Sequence, residues 1–234
     1  MPMTNRPIDV PRADAPPING VPRDLEAFVK SDQFPCVGAK SALALAQLTV
    51  LEGDDILSPT RDAELYEALG RFGAATQQDT RGVASFACLF THRPIMSEVE
   101  FETALWTRIQ ALHDIDAERG QHWADGVDND PASPVFSLSI NGIAFFVVGL
   151  HPGASRPARR FCRPALVFNA HEQFEQLRMD GRYGRMQSII RERELAHTGS
   201  INPMLTDFGR GREAAQYSGR KVQPGWTCPL KIKT

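Results

Sequence analysis

The 234-residue chain has no surplus of either charge. It carries 26 basic and 28 acidic residues, so no bulk attraction to nucleic acid or to an anionic membrane is expected, although a local anion site stays open. Its longest apolar run, Ile143 to Leu150, falls far short of the ~20 residues that span a bilayer. The N-terminus lacks the apolar stretch of a secretory signal. Four cysteines, Cys36, Cys88, Cys162 and Cys228, stand far apart with no CxxC pair. That pattern reads as reduced thiols in a cytoplasmic protein and argues against a zinc site, which wants closer pairs. GxGxxG, a Walker loop, HExxH and GxSxG are all missing. The commonest nucleotide-binding, zinc-protease and serine-hydrolase readings go with them.

What is present is a patterned chain of about the length of one large domain. Residues 1–23 are rich in proline and without apolar periodicity, which predicts a flexible arm. Residues 24–234 read as one folded unit. "DLEAFVKSDQFP" predicts a short helix with Asp24 near its N-cap and Pro35 as its end. "GAKSALALAQ" continues as helix and "QLTVLEG" as strand. "SPTRDAELYEALGRFG" has Leu65, Leu69 and Phe72 on one face and a stop expected at Gly73, and "VASFACLFTH" reads as a buried strand. The clearest helix is "SEVEFETALWTRIQALHDIDAERG", with Phe101, Leu105, Ile109 and Leu112 at helical spacing. Glu100 follows Ser97 at the spacing of a capping box. "VFSLSINGIAFFVVGL" predicts a hairpin turning at Asn141-Gly142. "ALVFNA" adds a strand, and "HEQFEQLRM" and "GRMQSIIRERELA" add helices. Intermixed helices and strands with at least one antiparallel pair predict an α+β domain, its sheet mixed or mainly antiparallel with packed helices.

One segment carries more chemistry than the rest. "GLHPGASRPARRF", Gly149 to Phe161, leaves the most apolar strand through a histidine and then gathers three arginines. Strand ends are rigid mounts for functional loops, and Pro152 biases His151 towards extended backbone. Neutral imidazole is a good ligand for iron, zinc or copper. The plainer reading is a histidine satisfied by hydrogen bonds at a strand end. Arg156, Arg159 and Arg160 are permanently charged forks suited to carboxylate or phosphate. No acidic residue lies between Asp130 and Glu172, so they pair with distant acids or hold an anion. A ligand with both a metal and carboxylates accounts for His151 and the arginines together, and haem is such a ligand. His92 and Cys36 are weaker candidates. His171 reads as a surface residue in the first turn of a helix capped by Asn169.

The pieces "FPCVGAKSALALAQL", "FFVVGLHPGASRPARRF", "LVFNAHEQFEQLR", "SINPMLTDFG" and "AAQYSGRKVQPGWTCPL" run in order over most of the chain. Through them the sequence resembles the YqcI/YcgG family. Members of known activity are haem-dependent N-oxygenases that hydroxylate arginine or another guanidine. The resemblance implies b-type haem and oxygenation at an amine or guanidine nitrogen, with dioxygen or peroxide as co-substrate. Within the matching segment, His151 is the expected axial ligand of the haem iron. Arg156, Arg159 and Arg160 are the expected partners of the propionates.

The family reading makes the chain a haem monooxygenase, an N-hydroxylase whose cofactor carries the hard chemistry. No flavin or nicotinamide motif is evident, so an external electron donor, such as a reductase, is expected. The competing classes are a non-catalytic haem-binding sensor or carrier, and a haem-free anion-binding protein. The acidic "WADGVDNDP" reads as a solvated loop or as a lure for a cationic substrate. A homodimer is the default expectation for a cytoplasmic enzyme.

Overall fold

The computed structural model describes residues 20–78, 82–92, 95–202, 204 and 207–233. Up to residue 19 the proline-rich arm lies outside them. Val21, near the arm's end, is buried against the first helix.

Among the described residues, six α-helices surround one five-stranded sheet. In chain order they are α1 (Arg23–Lys30), α2 (Val37–Ala44), β1 (Leu48–Gly53), α3 (Asp62–Gln78), β2 (Ser85–Phe90), α4 (Glu98–Glu118), β3 (Leu138–Ile140), β4 (Ile143–Leu150), β5 (Ala165–Ala170), α5 (His171–Met179) and α6 (Arg182–Thr198). The strand order is β1-β2-β5-β4-β3. The β1–β2 pair is parallel and the other three pairs are antiparallel. The parallel pair needs a crossover, which α3 supplies. The α+β expectation with a mixed sheet holds.

Local chemistry fixes several of these elements. Ser97 Oγ accepts the Glu100 N–H and the Glu100 carboxylate accepts the Ser97 N–H, so the capping box starts α4 as expected. Asn141 and Gly142 both have positive φ, 53° and 69°, as a type I′ turn requires. Asp116 Oδ1 on α4 accepts the Asn141 N–H at 2.7 Å and lies 2.8 Å from the Tyr66 hydroxyl. The hairpin tip is thereby tied to α3 and α4.

Two boundaries differ from expectation. Gly73 does not end α3, which runs on to Gln78. A Cβ there would lie 2.5 Å from Ile143 Cδ1, so the glycine lets the helix lie close on β4. Asp24 sits in the first turn of α1 and not at its N-cap, which is Pro22. Its carboxylate joins Glu52 of β1 around Arg163, whose Nη2 and Nη1 lie 3.1 and 2.7 Å from them.

The alternation of strand side chains sorts the core into two layers. Phe86, Phe145, Val147, Leu166 and Phe168 face α3 and α4. Ala87, Leu89, Leu150 and Ala165 face α1 and α2. β3 is short, so the C-terminal half of β4 has no strand on that side. The segment ending at Tyr217 fills the place, and its carbonyl accepts the Gly149 N–H at 2.8 Å.

Candidate functional site

His151 continues the alternation of β4 and emerges on the α4 side of the sheet. Its ring stacks on Phe101 of α4 at 4.2 Å between centroids and 12° between planes, and the residue is 1% exposed. The backbone closes a loop around it: His151 N–H donates to the Arg159 carbonyl at 3.1 Å, and Ala154 N–H to the His151 carbonyl at 3.3 Å. A Cβ on Gly153 would come 2.6 Å from the Met96 carbonyl and 3.4 Å from the imidazole. Burial pushes the imidazole pKa down to about 4, with Arg159 helping and Glu98 opposing. The ring is therefore neutral at pH 7, and its buried Nδ1 has no hydrogen-bond partner.

The three arginines turn outward from this ring to backbone. Arg159 donates to the carbonyls of Gly149, Tyr217 and Gln216, each at 3.1 Å, clamping the end of β4 to the helical turn Glu213–Gln216. Arg156 donates to the Ser200 carbonyl at 3.0 Å and the Ile201 carbonyl at 3.1 Å, just beyond α6, and lies 3.9 Å from Glu194. Arg160 Nε and Nη2 donate to the Ala154 and Ser155 carbonyls at 2.9 and 3.0 Å. These bonds shape and fasten the loop that carries His151. The missing local acids of the sequence are replaced largely by carbonyl oxygens, which composition does not reveal.

The opposite face of the sheet has a different character. Phe146 and Val148 of β4, and their partners Asn169 and Val167 of β5, are each only partly buried. Their neighbours on the α4 side, Phe145, Val147, Leu166 and Phe168, are fully covered. The centre of the sheet is thus half-open on the side of α2, α5 and α6. Helix α6 covers this side loosely. Glu194 is its one buried residue, and Met186, Ile189 and Ile190 stay partly accessible.

His171 stands at the edge of this half-open face, and its position differs from the expected surface placement. It is 8% exposed, with its ring 4.7 Å from Phe146 and 4.4 Å from Phe208. Asn169 is not a helix cap: Ala170 takes that position, and Asn169 Oδ1 accepts from Ser85 Oγ at 2.7 Å. The buried Nε2 of His171 makes no hydrogen bond. It lies 3.4 Å from Glu175 Oε1, but that carboxylate is engaged by Arg178. Burial lowers the His171 pKa, so this imidazole is neutral as well. The rings around it, Phe146 and Phe208, with Phe174 against Phe146, come from distant parts of the chain that only the fold assembles.

The other candidates fall apart from both histidines. His92 is exposed and 4.0 Å from Asp55. Cys36 is the N-cap of α2, its Sγ accepting the Ala39 N–H at 3.5 Å, and burial raises its pKa. The acidic loop spends Asp128 and Asp130 on its own turns, accepting from Asp130 N–H and Ala132 N–H at 3.0 and 2.9 Å. Glu213, 7% exposed, is pushed up to about 7 by burial, against the pull of Arg178 and Arg159. A pocket lined by Leu51, Gly53, Asp62, Cys88 and Phe90 has room for about one water.

Among the described residues no three His, Cys, Asp or Glu side chains converge as a metal-ion site. A haem asks for less: one neutral imidazole, an apolar surface and cations for its propionates. Both His151 and His171 offer a neutral ring with an unpartnered nitrogen. An incompletely covered apolar surface adjoins only His171. Helix α6 adds Arg185 and Arg193, which have no ion pair among the described residues, while Arg178, Arg182 and Arg191 pair with Glu175, Asp180 and Asp207. The residues present therefore fit the group in kind.

The model of the YqcI/YcgG family matches residues 25–231. The chain is 27% identical over 203 residues to the putative N(omega)-hydroxy-L-arginine synthase DcsA of Streptomyces lavendulae, covering 80% of this chain and 73% of that one. No solved structure matches.

Proposed function

Because the chain belongs to the YqcI/YcgG family, we propose that it is a haem-dependent N-oxygenase that hydroxylates, or oxidises further, an amine or guanidine nitrogen. The likeness to a protein named a putative N(omega)-hydroxy-L-arginine synthase carries this reading. Haem, when bound, supplies the activation of dioxygen or peroxide, with electrons from an external donor. The chain's own residues provide the rest. A neutral histidine donates a nitrogen lone pair. The apolar strands and the aromatic cluster of Phe146, Phe174 and Phe208 exclude water. Arginines balance the carboxylates. His151, the ligand expected from the sequence, and His171 both have a buried nitrogen without a hydrogen bond that suits the first role; His113 has one too, but its other nitrogen accepts the Lys233 N–H.

The test is an absorption spectrum of protein expressed with haem precursor supplied. A Soret band that follows the protein through purification supports the reading. Protein that stays colourless, and takes up no added ferric haem, sinks it.

A further inference from the structure

We propose that the iron ligand is His171 and that the prosthetic group lies on the half-open face of the sheet, over Phe146 and Val148 and beneath α6. This inference rests on the haem-dependent reading above and deepens it.

Three independent observations point there. The first is room. A flat macrocycle needs an apolar surface that the protein itself leaves uncovered, and central strands seldom provide one. Here two cross-strand pairs, Phe146↔Asn169 and Val148↔Val167, remain partly accessible in the middle of the sheet. The face bearing His151 is closed: Phe101 lies flat on that imidazole at 4.2 Å, and the chain at Gly153 abuts it.

The second is the donor atom. Nε2 of His171 is buried and makes no hydrogen bond; Glu175 Oε1, 3.4 Å away, is engaged by Arg178, and the ring is held by Phe146 and Phe208. An unpaired buried polar atom is costly, and coordination would satisfy it. At His151 the unpartnered atom is Nδ1, on the ring edge nearer its own backbone, which is packed beside Gly153.

The third is charge. On α5 and α6, Arg178, Arg182 and Arg191 pair with Glu175, Asp180 and Asp207, while Arg185 and Arg193 of α6 have no ion pair among the described residues. Two propionates fit such a pair. The arginines after His151 have donors committed to carbonyls that hold the fold.

The experiment titrates ferric haem into apoprotein of the wild type and of His171→Ala, His171→Cys and His151→Ala, read by absorption and electron paramagnetic resonance. Circular dichroism checks the fold of each. His171→Ala is expected to change the ferric spectrum and to hold haem about tenfold or more weakly, with partial recovery on adding imidazole. His171→Cys is expected to give the red-shifted ferrous carbon monoxide band of thiolate ligation, a signature that mere structural damage does not produce. His151→Ala, if folded, keeps the wild-type band. The inference is overturned if the His171 variants keep the wild-type spectrum, or if His151→Ala alone changes it. Wild-type protein without any Soret band overturns the haem reading itself, which separates the two failures.

Discussion

Replacing His151 by phenylalanine should leave the protein's neutral-pH stability almost intact and raise its stability in acid. A phenyl ring can keep the stack on Phe101, seen at 4.2 Å and 12°, and it removes a buried Nδ1 that has no partner. The native imidazole has its pKa pushed from 6.5 to about 4 by burial. A histidine depressed in the folded state stabilises it fully above the unfolded value, and that contribution is lost as pH falls from 6.5 towards 4. Between pH 7 and 4.5 the unfolded chain gains a proton that the folded chain resists, which costs the wild type roughly 2 kcal/mol. The variant has no such loss, while every other group titrates in both proteins. Urea unfolding of the two apoproteins at pH 7 and pH 4.5 measures the difference directly. A gap that stays constant between the two pH values would falsify the burial of a neutral His151. A large loss at pH 7 would mean that the imidazole nitrogens hold the site together.

Two other substitutions probe the same framework. Glu213→Gln should flatten the pH profile from the other side: a carboxyl raised from 4.5 to about 7 contributes stability that is full below 4.5 and is lost through 7, by up to about 3 kcal/mol. Unfolding curves between pH 4.5 and 8 read this, and equal slopes for wild type and variant contradict it. Gly149→Ala puts a Cβ 2.6 Å from Phe101 Cε1 and 2.7 Å from Leu105 Cδ1, so α4 or the strand must shift at a cost of about 1–3 kcal/mol. A melting temperature equal to wild type would show that α4 packs less closely on β4 than these distances state.

Features set by neighbours in the chain were legible in the sequence. The capping box at Ser97 and Glu100 and the Asn141-Gly142 turn are short-range devices, and both formed as expected. The failures all involve distant partners. Gly73 looked like a helix stop, but Ile143, seventy residues on, explains it as a close-packing site. Arg159 looked ready for an anion because its carbonyl partners come from Gln216 and Tyr217, and carbonyls leave no mark on composition. His171 looked exposed because the aromatic rings that bury it, Phe146 and Phe208, flank it at long range. Incomplete cover over Val148 and Val167 is likewise a property of how α6 lies, since both valines read as ordinary strand residues.

The central claim, oxygenation at nitrogen, is tested most directly by product mass. Haem-loaded protein is given a reductant, labelled dioxygen and a panel of guanidines and primary amines that begins with arginine, and the products are located by fragmentation. The account predicts at least one product heavier by one labelled oxygen, bonded to nitrogen. Oxygen found only on carbon contradicts it. A protein that binds carbon monoxide readily yet oxidises nothing in the panel contradicts it equally, and returns the chain to the class of haem sensors or carriers.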